Sequence, residues 1–284
     1  MKILLKKTSF VTAEPGPPKV FDVLISGEKI SEIAEDILAP DASVIDAHGK
    51  ILVPGLVDAH VHFREPGQEY KEDLRTGSLA AAVGGFTTVI AEPNTIPPID
   101  TPARLRNLLN MAKNKSIINF YSKAAITKGL KGNRLTDMVK LKEAGARAMS
   151  DDGNPVPSDR LMLNALIQGE KSRVLLSPHD EESALYREKI FRKQEKHGER
   201  SVSHQMPYSS PGAGPYTSEA GFIKRDIELA EKTRANLHIS HVSLAQSVEI
   251  IADAKKRGVR VTAEATPHHL LLSEKMAKEI GPNA

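Results

Sequence analysis

Two rhythms of apolar and polar residues divide the chain. Up to about residue 53 the apolar positions come in short runs. Val20-Phe21-Asp22-Val23-Leu24-Ile25 leads into a turn at Ser26-Gly27-Glu28-Lys29 and then into Ile30-Ser31-Glu32-Ile33. β-Branched residues on both sides of a glycine turn predict a hairpin. Pro15, Pro17 and Pro18 keep a helix from forming ahead of it. Val44-Ile45-Asp46 predicts one more short strand. Residues 1–53 therefore read as the N-terminal part of a small β domain.

From Ile51 the rhythm changes, and apolar strands alternate with stretches of helical length. Strands are predicted over 51–62, 87–91, 117–121, 146–150, 173–177, 237–242 and 259–265. Helices are predicted over 70–83, 104–113, 135–143, 159–168, 218–233 and 244–256, with Gly84-Gly85, Gly145 and Gly169 as stops and Ser218 as a cap. This alternation predicts an α/β fold with a parallel sheet and helical crossovers. Seven such units fit a (β/α)8 barrel of the TIM type better than an open doubly wound sheet. No eighth strand is counted before Gly281-Pro282-Asn283-Ala284, so residues 54–284 read as an incomplete barrel, lacking strand eight. A closed barrel has no edges, and a missing strand leaves two parallel edges bare. A polar stretch over 180–215, rich in Gly, Pro and Ser, predicts a loop above the strand ends.

Composition narrows the function. Of 284 residues, 40% are hydrophobic and 26% charged, an ordinary globular balance. Lys plus Arg number 39 and Asp plus Glu 36, giving +3, with no basic run long enough to form a phosphate-binding arm. No nucleic-acid partner is expected. There is no cysteine, which excludes disulfides, thiolate chemistry and zinc fingers. The N-terminal apolar run Ile3-Leu4-Leu5 is shorter than the ~7–15 residues of a signal peptide, and no window reaches the ~18 of a membrane span. A soluble, cytoplasmic protein with no membrane association is the expectation.

The candidate chemistry sits where the predicted strands end. In Asp58-Ala59-His60-Val61-His62 the two histidines are two apart and share one face of strand one. Asp151 and Asp152 follow strand four, His179 follows strand five in Ser177-Pro178-His179-Asp180, and His241 closes strand six. Most of the ten histidines lie at such positions, which is where barrel sites form. Because a carboxylate can bridge two ions, His60, His62, Asp151, His179 and His241 could hold a binuclear centre. His238 is three from His241, so in a regular strand it faces the other way and reads as a packing or supporting residue. Asp58 could orient an imidazole or bond the backbone. His268 and His269 could contact a ligand, support a metal ligand, or simply pack below the site. Arg64, two beyond His62, could read an anionic small molecule through its fork, or pair with a surface acid. Asn94 could bind a ligand or cap a turn. No glycine pattern supports a nucleotide cofactor.

Laid out together, these residues resemble the metal-dependent amidohydrolase superfamily, and within it the dihydroorotases of the long, bacterial-type class. The resemblance is carried by Pro54-Gly55-Leu56-Val57-Asp58-Ala59-His60-Val61-His62-Phe63-Arg64-Glu65-Pro66-Gly67, by Pro93-Asn94-Thr95, by Asp151-Asp152-Gly153, and by Val261-Thr262-Ala263-Glu264-Ala265-Thr266-Pro267-His268-His269-Leu270. It implies a barrel beside a small β-sandwich. It implies reversible hydrolysis of (S)-dihydroorotate to N-carbamoyl-L-aspartate in pyrimidine biosynthesis, by hydroxide held between two zinc ions. His60 and His62 would hold one ion, His179 and His241 the other, with Asp151 bridging, while Arg64 and Asn94 hold the substrate carboxylate. The family's catalytic acid is an aspartate at the end of strand eight, which this sequence does not reach, so no residue here is assigned that role. A homodimer is the common family state.

Two other readings stand beside it. Allantoinases and hydantoinases carry a bridging lysine on strand four, where this chain has Met149-Ser150-Asp151. A non-catalytic dihydroorotase-like subunit scaffolding aspartate transcarbamoylase would account for the missing acid. It would not account for a full set of metal ligands, since buried unpaired polar groups cost stability.

Overall fold

The computed structural model describes residues 1–10, 18–180, 219–273, 275–276 and 279. It falls into two compact units, Met1–Leu56 and Val57–Ala284.

The first unit is one mixed sheet. Its strands are β1 (Lys2–Phe10), β2 (Lys19–Ser26), β3 (Lys29–Ala34), β4 (Ser43–Asp46) and β5 (Ile51–Leu52), in the order β3-β2-β1-β4 with β5 also on β1. The β2-β3 hairpin turns at Gly27, whose φ of 63° suits a residue without a Cβ. β1 shifts register between Leu5 and Thr8, and Lys7 there has a φ of 57°. Asp22 holds this irregularity. Its buried carboxylate accepts from Lys7 N at 2.9 Å, Ile37 N at 3.0 Å and the Lys6 ammonium at 2.6 Å.

The strand predicted over 51–62 is broken in two. Ile51–Leu52 pairs with β1, whereas β6 (Leu56–Val61) belongs to the following sheet. Pro54 between them has no N–H to give to a ladder.

The second unit alternates strands and helices: α1 (Leu74–Val83), β7 (Phe86–Ala91), α2 (Pro102–Lys115), β8 (Asn119–Ser122), β9 (Ala124–Ala125), α3 (Met138–Glu143), β10 (Ala148–Ser150), α4 (Asp159–Ser172), β11 (Leu175–Leu176), α5 (Glu219–Thr233), β12 (Leu237–Ile239), α6 (Ala245–Lys256), β13 (Val261–Ala263) and α7 (Pro267–Leu271). The strands neighbour one another in chain order, β6-β7-β8 and β9-β10-β11-β12-β13. β8 and β9 form a single line through the barrel wall, interrupted at Lys123, whose N–H reaches Ala91 O at 2.8 Å. Seven strand positions of a (β/α)8 barrel are thus present among the described residues. The loop expected over 180–215 and the cap expected at Ser218 lie outside those residues, apart from Asp180.

Local chemistry sets the helix starts. Asp73 accepts from the N–H groups of Arg75 and Thr76, and Thr76 answers toward the cap backbone, so α1 begins at Leu74 rather than at Tyr70. Thr101 and Ser158 cap α2 and α4 more simply, their hydroxyls accepting from Arg104 N and Leu161 N, with Pro102 at the first position of α2. Each helix turns an apolar stripe inward: Leu105, Leu108 and Ala112 from α2, Met162, Ala165, Leu166 and Gly169 from α4. They close on Val89, Met149, Leu176 and Leu237 of the strands, all fully buried. Each large side chain so buried contributes about 1.5–3 kcal/mol. No helix among the described residues is long and apolar enough to cross a membrane.

Candidate metal centre

Five side chains from four strand ends meet around one carboxylate. His60 lies on β6 and His62 just beyond it, on the same face. Asp152 follows β10, His179 follows β11 and His241 follows β12. His60, His62 and Asp152 form one group, and Asp152, His179 and His241 another. Within each, the ligand atoms all lie within 4.8 Å of one another. The imidazole centroids are 5.4 Å apart for His60–His62 and 5.0 Å for His179–His241, both edge to face, and 5.5 Å apart for the tilted His60–His241 pair.

The spacing favours ions over hydrogen bonds. Asp152 Oδ1 is 3.5 Å from His60 Nε2, 3.6 Å from His179 Nδ1 and 3.8 Å from His241 Nε2. Asp152 Oδ2 is 3.7 Å from His62 Nε2. These gaps exceed the roughly 2.7–3.2 Å of a hydrogen bond. Ligand bonds of about 2.0–2.2 Å at tetrahedral angles put neighbouring ligand atoms about 3.3–3.6 Å apart. His179 Nδ1 is buried with no hydrogen-bond partner, and it faces Asp152 Oδ1 across 3.6 Å. Imidazole and carboxylate together are a donor set suited to zinc-like ions.

The structure turns Asp151 away from this cluster. Neighbouring residues on extended chain face opposite sides. Thr127 claims the Asp151 carboxylate, through its N–H at 2.9 Å and through its hydroxyl. Burial pushes the Asp151 carboxyl up to about 7, against those two bonds. The carboxylate among the histidines is that of Asp152, not the Asp151 assigned from the sequence.

His241 enters the cluster by breaking strand geometry. Its φ of 39° lies in the left-handed region, costly for a residue with a Cβ by about 1–2 kcal/mol. The strand alternation that would separate it from His238 ends at Ile239, and both rings reach the neighbourhood of the site. Asn94 has its amide engaged: Oδ1 with His62 Nδ1 at 3.2 Å, Nδ2 with Asp152 Oδ2 at 2.7 Å. Asp58 Oδ1 accepts from the backbone N–H of His60 at 3.0 Å. Arg64 follows His62 closely. Burial and then the Arg64 and His60 charges lower the His62 pKa, against Asp152. His268 and His269 sit exposed on α7, outside both groups.

Further acids and a lysine, unassigned from the sequence, surround the histidines. Glu264, just past β13, lies 2.5 Å from His60 Nδ1. Glu92, just past β7, is 3.7 Å from the same nitrogen and forms a buried pair with Lys123. Lys123 Nζ donates to Ser177 Oγ at 3.1 Å, and Ser177 Oγ is 2.9 Å from Ser240 Oγ. Burial opposes charge on His60, but Asp152, Glu264 and Glu92 outweigh it and hold its pKa at about 10. Burial likewise opposes charge on Asp152, yet His179, His241 and His60 keep it far below the usual carboxylate range. The pocket is built to hold positive charge. The available signal for Glu264 was its place at a strand's C-terminal end, two past Thr262 and on the same face.

Comparison with known proteins gives the family and the fold. A family model described as "Dihydro-orotase-like" matches residues 49–247. A dihydroorotase of Geotalea daltonii is 40% identical over the whole chain, and one of Bacillus thuringiensis 41% identical. The chain spans 65% and 64% of those two proteins. Among solved structures, an L-hydantoinase (dihydropyrimidinase) from Arthrobacter aurescens superposes with a TM-score of 0.78 at 24% identity, covering 99% of this chain and 61% of the other. A dihydropyrimidinase from Brevibacillus agri gives 0.76 at 25%, covering 100% and 60%. These structural likenesses describe a shared fold. The family match over residues 49–247, more than half of the chain, shows that this chain belongs to the dihydro-orotase-like family.

Proposed function

We propose that the chain supplies the metal centre and the substrate-reading arginine for reversible hydrolysis of (S)-dihydroorotate to N-carbamoyl-L-aspartate, with two zinc ions. The observation that carries this reading is the Asp152 carboxylate ringed by four imidazole nitrogens at 3.5–3.8 Å. His60 and His62 would hold one ion, His179 and His241 the other, and Asp152 both. When bound, the pair supplies an acidified water and an electrophile for the ring carbonyl.

The chain's own residues prepare that step. Asn94 fixes Asp152 Oδ2 and the outer nitrogen of His62, which leaves His62 Nε2 facing inward. Because the Asn94 amide is so occupied, the substrate carboxylate falls to Arg64, whose fork matches it in two parallel bonds. Hydantoin carries no carboxylate, which favours dihydroorotate over the hydantoinase and allantoinase alternatives. A pure scaffold would gain nothing from a buried His179 Nδ1 that makes no hydrogen bond.

The test is calorimetric binding of N-carbamoyl-L-aspartate to the zinc-loaded chain, with dihydroorotate ring opening followed in parallel. Arg64→Met should weaken binding about 10–100-fold, the worth of a charge-assisted bond. Equal binding by wild type and variant, or a preference for hydantoin, would sink the assignment.

A further inference from the structure

Three carboxylates face His60, and only one meets its outer nitrogen at hydrogen-bond distance. Nδ1 lies 2.5 Å from Glu264 Oε1 and 3.7 Å from Glu92 Oε1, while Nε2 faces Asp152. The other oxygen of Glu264 is 3.1 Å from His238 Nε2, and His238 Nδ1 is 2.8 Å from Thr262 Oγ1. The four side chains form one line: Thr262, His238, Glu264, His60.

Hydrogen-bond chemistry fixes the direction of that line. An ionised carboxylate only accepts. His60 must then carry a proton on Nδ1, and His238 one on Nε2. The Thr262 hydroxyl donates to His238 Nδ1, and His60 Nε2 is the nitrogen turned toward the ion position. The backbone of Glu264 is fixed as well. Its N–H donates to Ile239 O at 3.0 Å and its carbonyl accepts from Val242 N at 2.9 Å, bracketing the left-handed turn at His241.

We infer that Glu264, anchored by His238, is a positioning residue that orients His60 for the first ion and whose backbone sets His241 for the second. The inference rests on the metal-centre reading above. Glu264 and His238 touch no reacting atom. They act by fixing a ligand's ring and tautomer, as outer carboxylates do behind metal-bound histidines. The two rings meet different oxygens of Glu264, and glutamine puts an NH2 donor in place of one of them, so one contact must be lost or reversed.

The experiment combines zinc competition titrations with proton NMR of imidazole N–H groups, on the full chain with and without zinc. Wild type should show a low-field, slowly exchanging Nδ1–H from His60 in both states, assigned by its disappearance in His60→Gln. Glu264→Gln should weaken that resonance and lower one of the two stepwise zinc constants about 10–100-fold, leaving the other unchanged. His238→Phe keeps the ring's volume and should shift the same resonance with a smaller fall in the same constant. It serves as the reading should Glu264→Gln fail to fold. A purely structural role would lower both constants together and leave the resonance in place, which overturns the inference. So would a Glu264→Gln protein indistinguishable from wild type while wild type takes up zinc. A wild-type chain that takes up no zinc overturns the functional reading itself, and this role with it.

Discussion

Lys123→Met is the sharpest probe of the barrel interior. Lys123 is 3% exposed and the Glu92 side chain with which it pairs is 0% exposed. Removing the ammonium leaves a buried carboxylate whose nearest described cation is the His60 ring, 3.7 Å away. Breaking a buried pair from one side costs about 3–5 kcal/mol, because the surviving charge stays desolvated. For a unit of this size each kcal/mol moves the midpoint by about 2–4 °C, so a fall of about 6–20 °C follows. The assay is thermal and urea unfolding of the metal-free chain, which keeps ion binding out of the balance. Adding Glu92→Gln should recover most of the loss, since the uncompensated charge is then gone. A Lys123→Met loss under about 1 kcal/mol, the worth of an exposed pair, would refute the argument. So would a double variant no more stable than the single one.

Two further predictions concern stability. The Asp22 pKa is lowered: burial pushes it up, but bonds from Lys6, Lys7 N and Ile37 N outweigh it. Its contribution is therefore fully present above the unfolded carboxyl value of about 3.9 and drains away as pH falls through the lower folded value. Asp22→Asn should cost about 1–3 kcal/mol at neutral pH and flatten the acid limb of a denaturation profile taken from pH 6 downward; an unaltered acid limb would contradict this. Gly169 on α4 has no room for a side chain, because an added Cβ would stand 2.1 Å from Leu176 Cδ1. Gly169→Ala should cost about 1–3 kcal/mol by overpacking, read as a lower urea midpoint; a neutral result would show that Leu176 can retreat.

The sequence disclosed most where periodicity and chemistry coincide. The βα alternation predicted the strand positions, and the two-residue spacing of His60 and His62 put both on one face. Boundaries were harder. Pro54 splits a continuous apolar run that reads as one strand, and the capping by Asp73 delays a helix whose apolar pattern starts sooner. The choice between Asp151 and Asp152 was not legible, because the deciding contact is the Thr127 hydroxyl, 24 residues away. His241 joins His60 through a left-handed backbone that no alternation rule anticipates. Glu264 is not singled out by the sequence, because a lone glutamate at a strand end is ordinary until a distant histidine stands against it.

The most direct test of the central claim is the metal content of the chain. Wild type, Asp151→Asn and Asp152→Asn would be supplied with zinc, gel-filtered and analysed by elemental mass spectrometry. Wild type and Asp151→Asn should carry about two equivalents each, and Asp152→Asn should lose most of both, because both histidine pairs share that carboxylate. A folded wild-type chain with almost no metal would contradict the account, as would an Asp151→Asn protein depleted as deeply as Asp152→Asn.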